Sequence, residues 1–196
     1  MTARGETITA RERRDVVILA EHPELTVTWS RYAGGERGPG LHVHREHTDA
    51  FYVLEGELTF TVGPEAEQVT VSPGAFVAVP PKIVHTFSND SGADASWLNL
   101  HAPDTGFAAC LRAARDGRES AWDSFDPPAD GGMPAAGVIV TGPDEGERTG
   151  GGLLKAALPG LRVVEWAEGR ADAPDHAAVR WTFSHTRGLL EIRATD

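Results

Sequence analysis

Cysteine is nearly absent. Cys110 is the only one in 196 residues, so no intrachain disulfide can staple the fold. Stability must then come from a packed core, and the usage suits a reducing compartment. No apolar run approaches the length of a membrane span. The opening residues, Met1 to Glu6, lead into a charged stretch from Arg11 to Asp15 rather than into the apolar core of a secretion signal. Basic side chains are the minority, 18 Lys and Arg against 29 Asp and Glu, for a formal net charge of −11. Such a surface repels phosphate backbones and anionic lipid, so neither nucleic acid nor a membrane is an expected partner, and a cytoplasmic protein is the expectation. A pair of short helices of the kind that reads DNA is also missing.

What is plentiful is punctuation: 22 glycines and 13 prolines. That suits many short strands joined by turns. Val16 to Ala20 is a short apolar run. From Leu25 the pattern alternates, with Leu25, Val27 and Trp29 on one face and Thr26, Thr28 and Ser30 on the other, which predicts a half-buried strand. After the turn-rich Gly34–Gly40 come a short extended piece at 41–44 and strands at 51–54, 58–62, 69–71, 75–79, 84–87 and 95–101. Glu55-Gly56-Glu57 and Ser72-Pro73-Gly74 read as the turns between them. One helix is expected, capped by Asp104, with Phe107, Cys110, Leu111 and Ala114 on its apolar face and Gly117 ending it. Regularly spaced short strands of this number predict an all-β sandwich or barrel. The organisation read from the sequence is a barrel with a trailing helix over 1–125, a linker over 126–137 and a β-rich extension over 138–196. The extension's strand candidates are 138–140, 161–166, 179–183 and 189–192. Pro23-Glu24-Leu25-Thr26-Val27 is echoed by Pro159-Gly160-Leu161-Arg162-Val163, a weak internal repeat.

Three of eight histidines fall within six residues: His42, His44 and His47. Two residues apart on an extended segment, His42 and His44 share a face, and a shared metal is a natural reason for that. Asp49 follows, and His85 arrives on a later strand after Pro80-Pro81. Three imidazoles and a carboxylate suit a divalent transition ion and leave coordination positions open. His47 reads as a solvated loop histidine, with substitution for Asp49 or contact with substrate at the barrel mouth as alternatives. Asn99 and His101 share a face that points either into the barrel or to its edge. Trp97 reads as core. Phe51, Val53, Phe60, Phe76 and Phe87 should form the apolar wall, and Phe51, with His47, is the candidate for substrate contact. Asp175, His176, His185 and Glu191 in the extension form no motif.

The segment Gly40-Leu41-His42-Val43-His44 with Asp49 to Gly56, followed by Gly74 to Pro80 with His85 and Asn89, resembles the two motifs of the cupin superfamily, in particular its quercetinase-like members. The resemblance covers roughly residues 20–102. It implies a double-stranded β-helix, or jelly-roll barrel, holding one Fe, Ni, Mn, Zn or Cu ion on His42, His44, Asp49 and His85. Two departures stand out. The family usually has glutamate where this chain has Asp49, whose carboxylate falls back by about 1.5 Å; Asp49 then binds more weakly, binds through water, or acts instead as the catalytic acid or base. The second motif usually has glycine where Lys82 stands.

The expected function is that of a metal-dependent enzyme on a small organic substrate, first of the dioxygenase type. Non-redox isomerase or cyclase chemistry, with the ion as Lewis acid and Asp49 or His47 as general base, is the alternative. A non-catalytic small-molecule-binding cupin is the rival class. A homodimer is expected by the resemblance. The extension reads as a degenerate second cupin half, a cap on the barrel or an element swapped in the dimer.

Overall fold

The computed structural model describes residues 5–23 and 25–141, together with the backbones of four strands in the C-terminal third. The chain runs β1 (Glu6–Arg11), β2 (Arg14–His22), β3 (Leu25–Tyr32), β4 (Thr48–Glu55), β5 (Leu58–Val62), β6 (Glu67–Val71), β7 (Phe76–Val79), β8 (His85–Ser88) and β9 (Ala95–Ala102). A helix, α1 (Phe107–Arg115), and a 3-10 turn (Ala135–Gly137) precede β10 (Ile139–Thr141). The remaining strands are β11 (Leu153–Ala157), β12 (Ala167–Ala171), β13 (Val179–Thr186) and β14 (Leu189–Thr195). A seven-stranded sheet in the order β1-β2-β3-β9-β4-β7-β10 faces a three-stranded sheet, β6-β5-β8, as the two walls of a jelly-roll barrel. The last four strands make a separate antiparallel sheet, β11-β14-β13-β12. The strand expected at 161–166 and the second copy of the repeat lie outside the described residues, as do Asp175 and His176. No helix among the described residues is long and apolar enough to cross a membrane.

Alternation along the strands sorts the large sheet into two buried faces. Phe51 and Val53 of β4, Val77 and Val79 of β7, and Trp97 of β9 point into the barrel, where they meet Phe60 and Phe87 of the small sheet. Phe51 packs edge-on against both, at ring-centroid distances of 4.8 and 5.1 Å. Burying each such ring stabilises the fold by roughly 2–3 kcal/mol. The opposite face carries a second apolar cluster, with Val27, Trp29, Phe76, Leu98 and Leu100.

This two-sided burial corrects the reading of β3 as half-buried. Its apolar residues, Leu25, Val27 and Trp29, belong to the outer cluster. Thr26, Thr28 and Ser30 are buried too, and they pair in register with His101, Asn99 and Trp97 of β9. The polar face of this strand therefore turns toward the barrel interior, because the interior at this end is itself polar.

Three other local features differ from expectation. Residues 6–20 form a two-strand hairpin, β1 with β2, rather than one short strand. Asp104 Oδ1 does accept the N–H groups of Gly106 and Phe107 at the helix start, but the fully buried helix residues are Ala108 and Ala113. Phe107, Cys110 and Leu111 instead line a cavity at the mouth of the barrel. The segment read as a linker lies along the barrel: Met133 N–H donates to the Lys82 carbonyl, Ala135 and Val138 pack on the interior cluster, and β10 adds to the sheet beside β7.

Candidate metal centre

His42 and His85 face one another across an isolated antiparallel bridge, each donating its N–H to the other's carbonyl at 3.1 and 2.9 Å. That backbone pairing brings the two imidazoles to a centroid distance of 4.4 Å. His44, one alternation along from His42, lies 4.8 Å from its ring. Asp49 opens the interior face of β4. One donor atom from each of His42, His44, Asp49 and His85 falls within 4.8 Å of the rest, and all four residues are buried.

The outward nitrogens of all three rings are committed to main chain. His42 Nδ1–H donates to the Gly40 carbonyl at 2.9 Å, His85 Nδ1–H to Ile83 at 3.0 Å and His44 Nδ1–H to Asp123 at 2.5 Å. A ring bonded in this way presents an unprotonated Nε2 in its neutral form. Asp49 Oδ2 lies 3.4 Å from Nε2 of His85 and 3.7 Å from Nε2 of His44, so the shorter side chain does reach the cluster. His44 Nε2 has no hydrogen-bond partner although the residue is 1% exposed. A buried lone pair left unsatisfied among converging lone pairs and a carboxylate is the donor set of a cation site, and it fits a divalent transition ion.

Electrostatics agree. Burial, and then the neighbouring rings of His85 and His44, push His42 down from 6.5 to about 4. Burial alone would raise the Asp49 carboxyl, but His101, His44 and His85 overcome it and hold it well below the usual range. A neutral His42 beside a charged Asp49 is the combination of protonation states that ligation requires.

A second group lies behind the first. His47, expected in solvent, is fully buried. Its Nδ1–H donates to Asp123 Oδ2 at 2.8 Å, with Thr105 Oγ1 at 2.9 Å. His47 Nε2 and His101 Nδ1 are hydrogen-bonded to one another at 2.9 Å, and His101 Nε2–H donates to Asn99 Oδ1 at 3.1 Å, with Asp49 Oδ1 at 3.7 Å. Asn99 Nδ2 donates both to Asp49 Oδ1 and to the Ala50 carbonyl, which fixes its amide and the carboxylate rotamer together. Asn99 and His101 thus point inward. His44, His47 and His101 also place ligand atoms within 4.8 Å of one another, but the mutual hydrogen bond of His47 and His101 already occupies their facing nitrogens.

Sequence reasoning missed Asp123. Its carboxylate accepts the backbone N–H groups of Arg45, Glu46 and His47 at 2.9, 2.8 and 3.2 Å as well as the His47 ring. Burial raises this carboxyl, and the bonds from the Arg45 and Glu46 N–H groups and the His47 ring lower it, with the lowering prevailing. Trp122, next in chain, lies against His44 at 5.1 Å and Phe107 at 4.9 Å. The Trp122–Phe125 strap is closed by a bridge from Phe125 to Val43. A lone aspartate seventy-odd residues from the motif gives no periodic or spacing signal.

A cavity of about 340 Å³ opens on His42, Asp49 and His101, walled by Phe87, Trp97, Phe107 and Trp122. Neither His47 nor Phe51 lines it. His47 stands behind His44 and His101, and Phe51 belongs to the barrel core.

Residues 28–101 match the family model described as the Cupin domain. This part of the chain is a cupin domain. Over 50 residues the chain is 38% identical to a quercetin 2,3-dioxygenase of Bacillus subtilis, a stretch that spans 26% of this chain and only 14% of that one. Among solved structures, KdgF from Halomonas sp. is 22% identical with a TM-score of 0.45, covering 50% of this chain and 88% of that one. An RmlC-like cupin from Shewanella frigidimarina is 21% identical with a TM-score of 0.44, covering 51% and 85%. The cupin domain carries a buried His/Asp cluster.

Proposed function

We propose that the protein is a metal-dependent cupin enzyme acting on a small organic substrate, with His42, His44, Asp49 and His85 as ligands and a dioxygenase-type oxidation as its reaction. The observation that carries the reading is the convergence of three Nε2 lone pairs on one carboxylate, each ring turned by a hydrogen bond from its Nδ1–H to main chain. A divalent transition ion bound there supplies open coordination positions at which an organic ligand is oriented and activated. The chain's own residues do the rest. Phe87, Trp97, Phe107 and Trp122 exclude water around the substrate's body. Asn99 holds the Asp49 carboxylate in one rotamer, with Oδ2 turned to the His44 and His85 rings. The 50-residue likeness to a quercetin 2,3-dioxygenase supports the oxidative reading. A second, non-redox reading draws on the His47–His101 pair, because His101 Nε2, beside Asn99 and Asp49, is an atom at which a proton can be held for isomerase or cyclase chemistry.

Metal analysis of the purified protein tests the core of this. About one iron, nickel, manganese, copper or zinc per chain is expected, with loss in His42→Ala. Absence of stoichiometric metal would overturn the enzyme reading. Oxygen uptake with flavonols or catechols separates the two chemistries: zinc with no uptake selects the non-redox reading.

A further inference from the structure

Two concavities meet on one side of the barrel. The metal-facing cavity shares Arg14, Val16, Tyr32 and Leu111 with a larger cleft of about 640 Å³ between β1, the β1–β2 turn and α1. The larger cleft has no part of the imidazole cluster. Its character is set by charge: Arg11, Arg13, Arg14 and Arg115 line it against one carboxylate, Glu36. Of the other acids nearby, two neutralise a lining arginine and one is held by an arginine outside the cleft. Glu6 and Asp116 pair with Arg115, and Asp15 pairs with Arg31. Glu36 bonds Arg13 at 2.6 Å and reaches Arg14 only at 3.3 Å. On a chain of net charge −11, Arg11, Arg13 and Arg14 against the single carboxylate of Glu36 make a local excess of positive charge at the mouth of the cavity. Such a patch raises the local concentration of small anions that the rest of the surface repels.

Arg14 is the residue common to both spaces. Its guanidinium lies over the Tyr32 ring, 4.1 Å from the centroid. Nη2 donates to the Arg37 carbonyl at 2.7 Å and to Glu36, while Nε and Nη1 have no acceptor among the described residues. A guanidinium edge without an acceptor at the rim asks for a ligand bearing negative charge and acceptor oxygens. The walls beyond it are aromatic: Phe87, Trp97, Phe107 and Trp122.

We propose that the cavity's ligand is a small aromatic carboxylate, its ring lodged among Phe87, Trp97, Phe107 and Trp122 and its carboxylate held at Arg14. This rests on the reading of the cavity as the substrate chamber, and it makes Arg14 the residue that selects anionic over neutral substrates. A guanidinium serves this role better than an ammonium because it stays charged and offers planar donors.

Titration of the full chain with benzoate, 2-naphthoate, benzamide and phenyl phosphate, read by quenching of Trp97 and Trp122 fluorescence, tests it. The carboxylates should bind about tenfold more tightly than benzamide at low ionic strength, and the gap should narrow with salt. Arg14→Gln should erase the gap while leaving benzamide within about twofold. Glu36→Gln, which frees Arg14 without touching the cavity, should widen it. Benzamide binding as well as benzoate, equal losses of both in Arg14→Gln, tighter binding of phenyl phosphate, or no saturable quenching by any of the four would overturn the proposal. The same titration on chelator-treated protein keeps the two questions apart. The preference for anions resides in Arg14 and should survive metal removal, whereas failure of the metal reading appears in metal stoichiometry.

Discussion

At the scale of single residues, Lys82 shows a motif departure becoming a local cost. It stands where the cupin motif has glycine, and it adopts φ 72°, a left-handed conformation. Its backbone is fixed on both sides: the N–H donates to the His44 carbonyl at 2.6 Å and the carbonyl accepts from Met133. The fold demands this geometry whatever the side chain, and an L residue pays about 1–2 kcal/mol for it. Lys82→Gly should therefore raise stability by about 1 kcal/mol in urea unfolding, after allowance for glycine's freedom in the unfolded chain; a loss of stability would contradict the account. The histidines give a pH prediction. Burial pushes both His42 and His47 down from 6.5 to about 4. Between those values the unfolded chain takes up protons that the folded chain does not, so stability falls as pH falls, by up to about 3 kcal/mol for each ring. The urea midpoint of metal-free protein should drop between pH 6.5 and 4, and a flat profile there would show that these rings are not buried neutral.

At the scale of elements, the strap Trp122–Phe125 supports the cluster from outside the two motifs. Asp123 ties down the turn at 45–47 with its carboxylate and orients His44 with its carbonyl. Truncating the side chain strands several buried donors at once. Asp123→Ala is expected to cost on the order of 3 kcal/mol in unfolding and to weaken metal binding about 10–100-fold. A competition titration against a chelator measures the second effect, and unchanged metal affinity would remove Asp123 from the site. Arg45 stacking 3.7 Å over the Phe125 ring adds a further clasp on the same strap. The helix makes a related point. Its apolar stripe was legible as spacing, but spacing does not say that Phe107 would pack 3.8 Å from the His101 ring, making the stripe a wall of the cavity.

For the molecule as a whole, the barrel's sheet does not end where the motifs end. β10 pairs with β7, whose four residues are all buried, and Ile139 packs on the outer cluster. Without β10, an apolar strand becomes an open edge. A chain ending at residue 134 should therefore unfold at lower urea, and self-associate more in size-exclusion chromatography, than one ending at residue 141. Equal behaviour of the two would place the limit of the cooperative unit before the 3-10 turn. The charge distribution is also a property of the whole, since the arginine-lined cleft is visible only once β1, the β1–β2 turn and α1 are adjacent.

The sequence by itself determined the all-β class, most strand positions and the four residues of the cluster. Period-2 alternation and turn residues are local signals, and His42, His44, Asp49 and His85 sit in motifs whose spacing survives in one dimension. It also marked Lys82 and Asp49 as departures, although only the folded chain shows that the first carries backbone strain and the second still reaches the rings. Tertiary structure alone decided the rest. The polar face of β3 points inward because the barrel's end is polar, which alternation cannot reveal. His47 is buried because Asp123 and His101 close over it from distant parts of the chain. Arg14, Trp97 and Trp122 share a cavity because strands far apart in sequence become neighbours in a closed sheet. Contacts of that kind depend on which faces meet, and no local pattern records it.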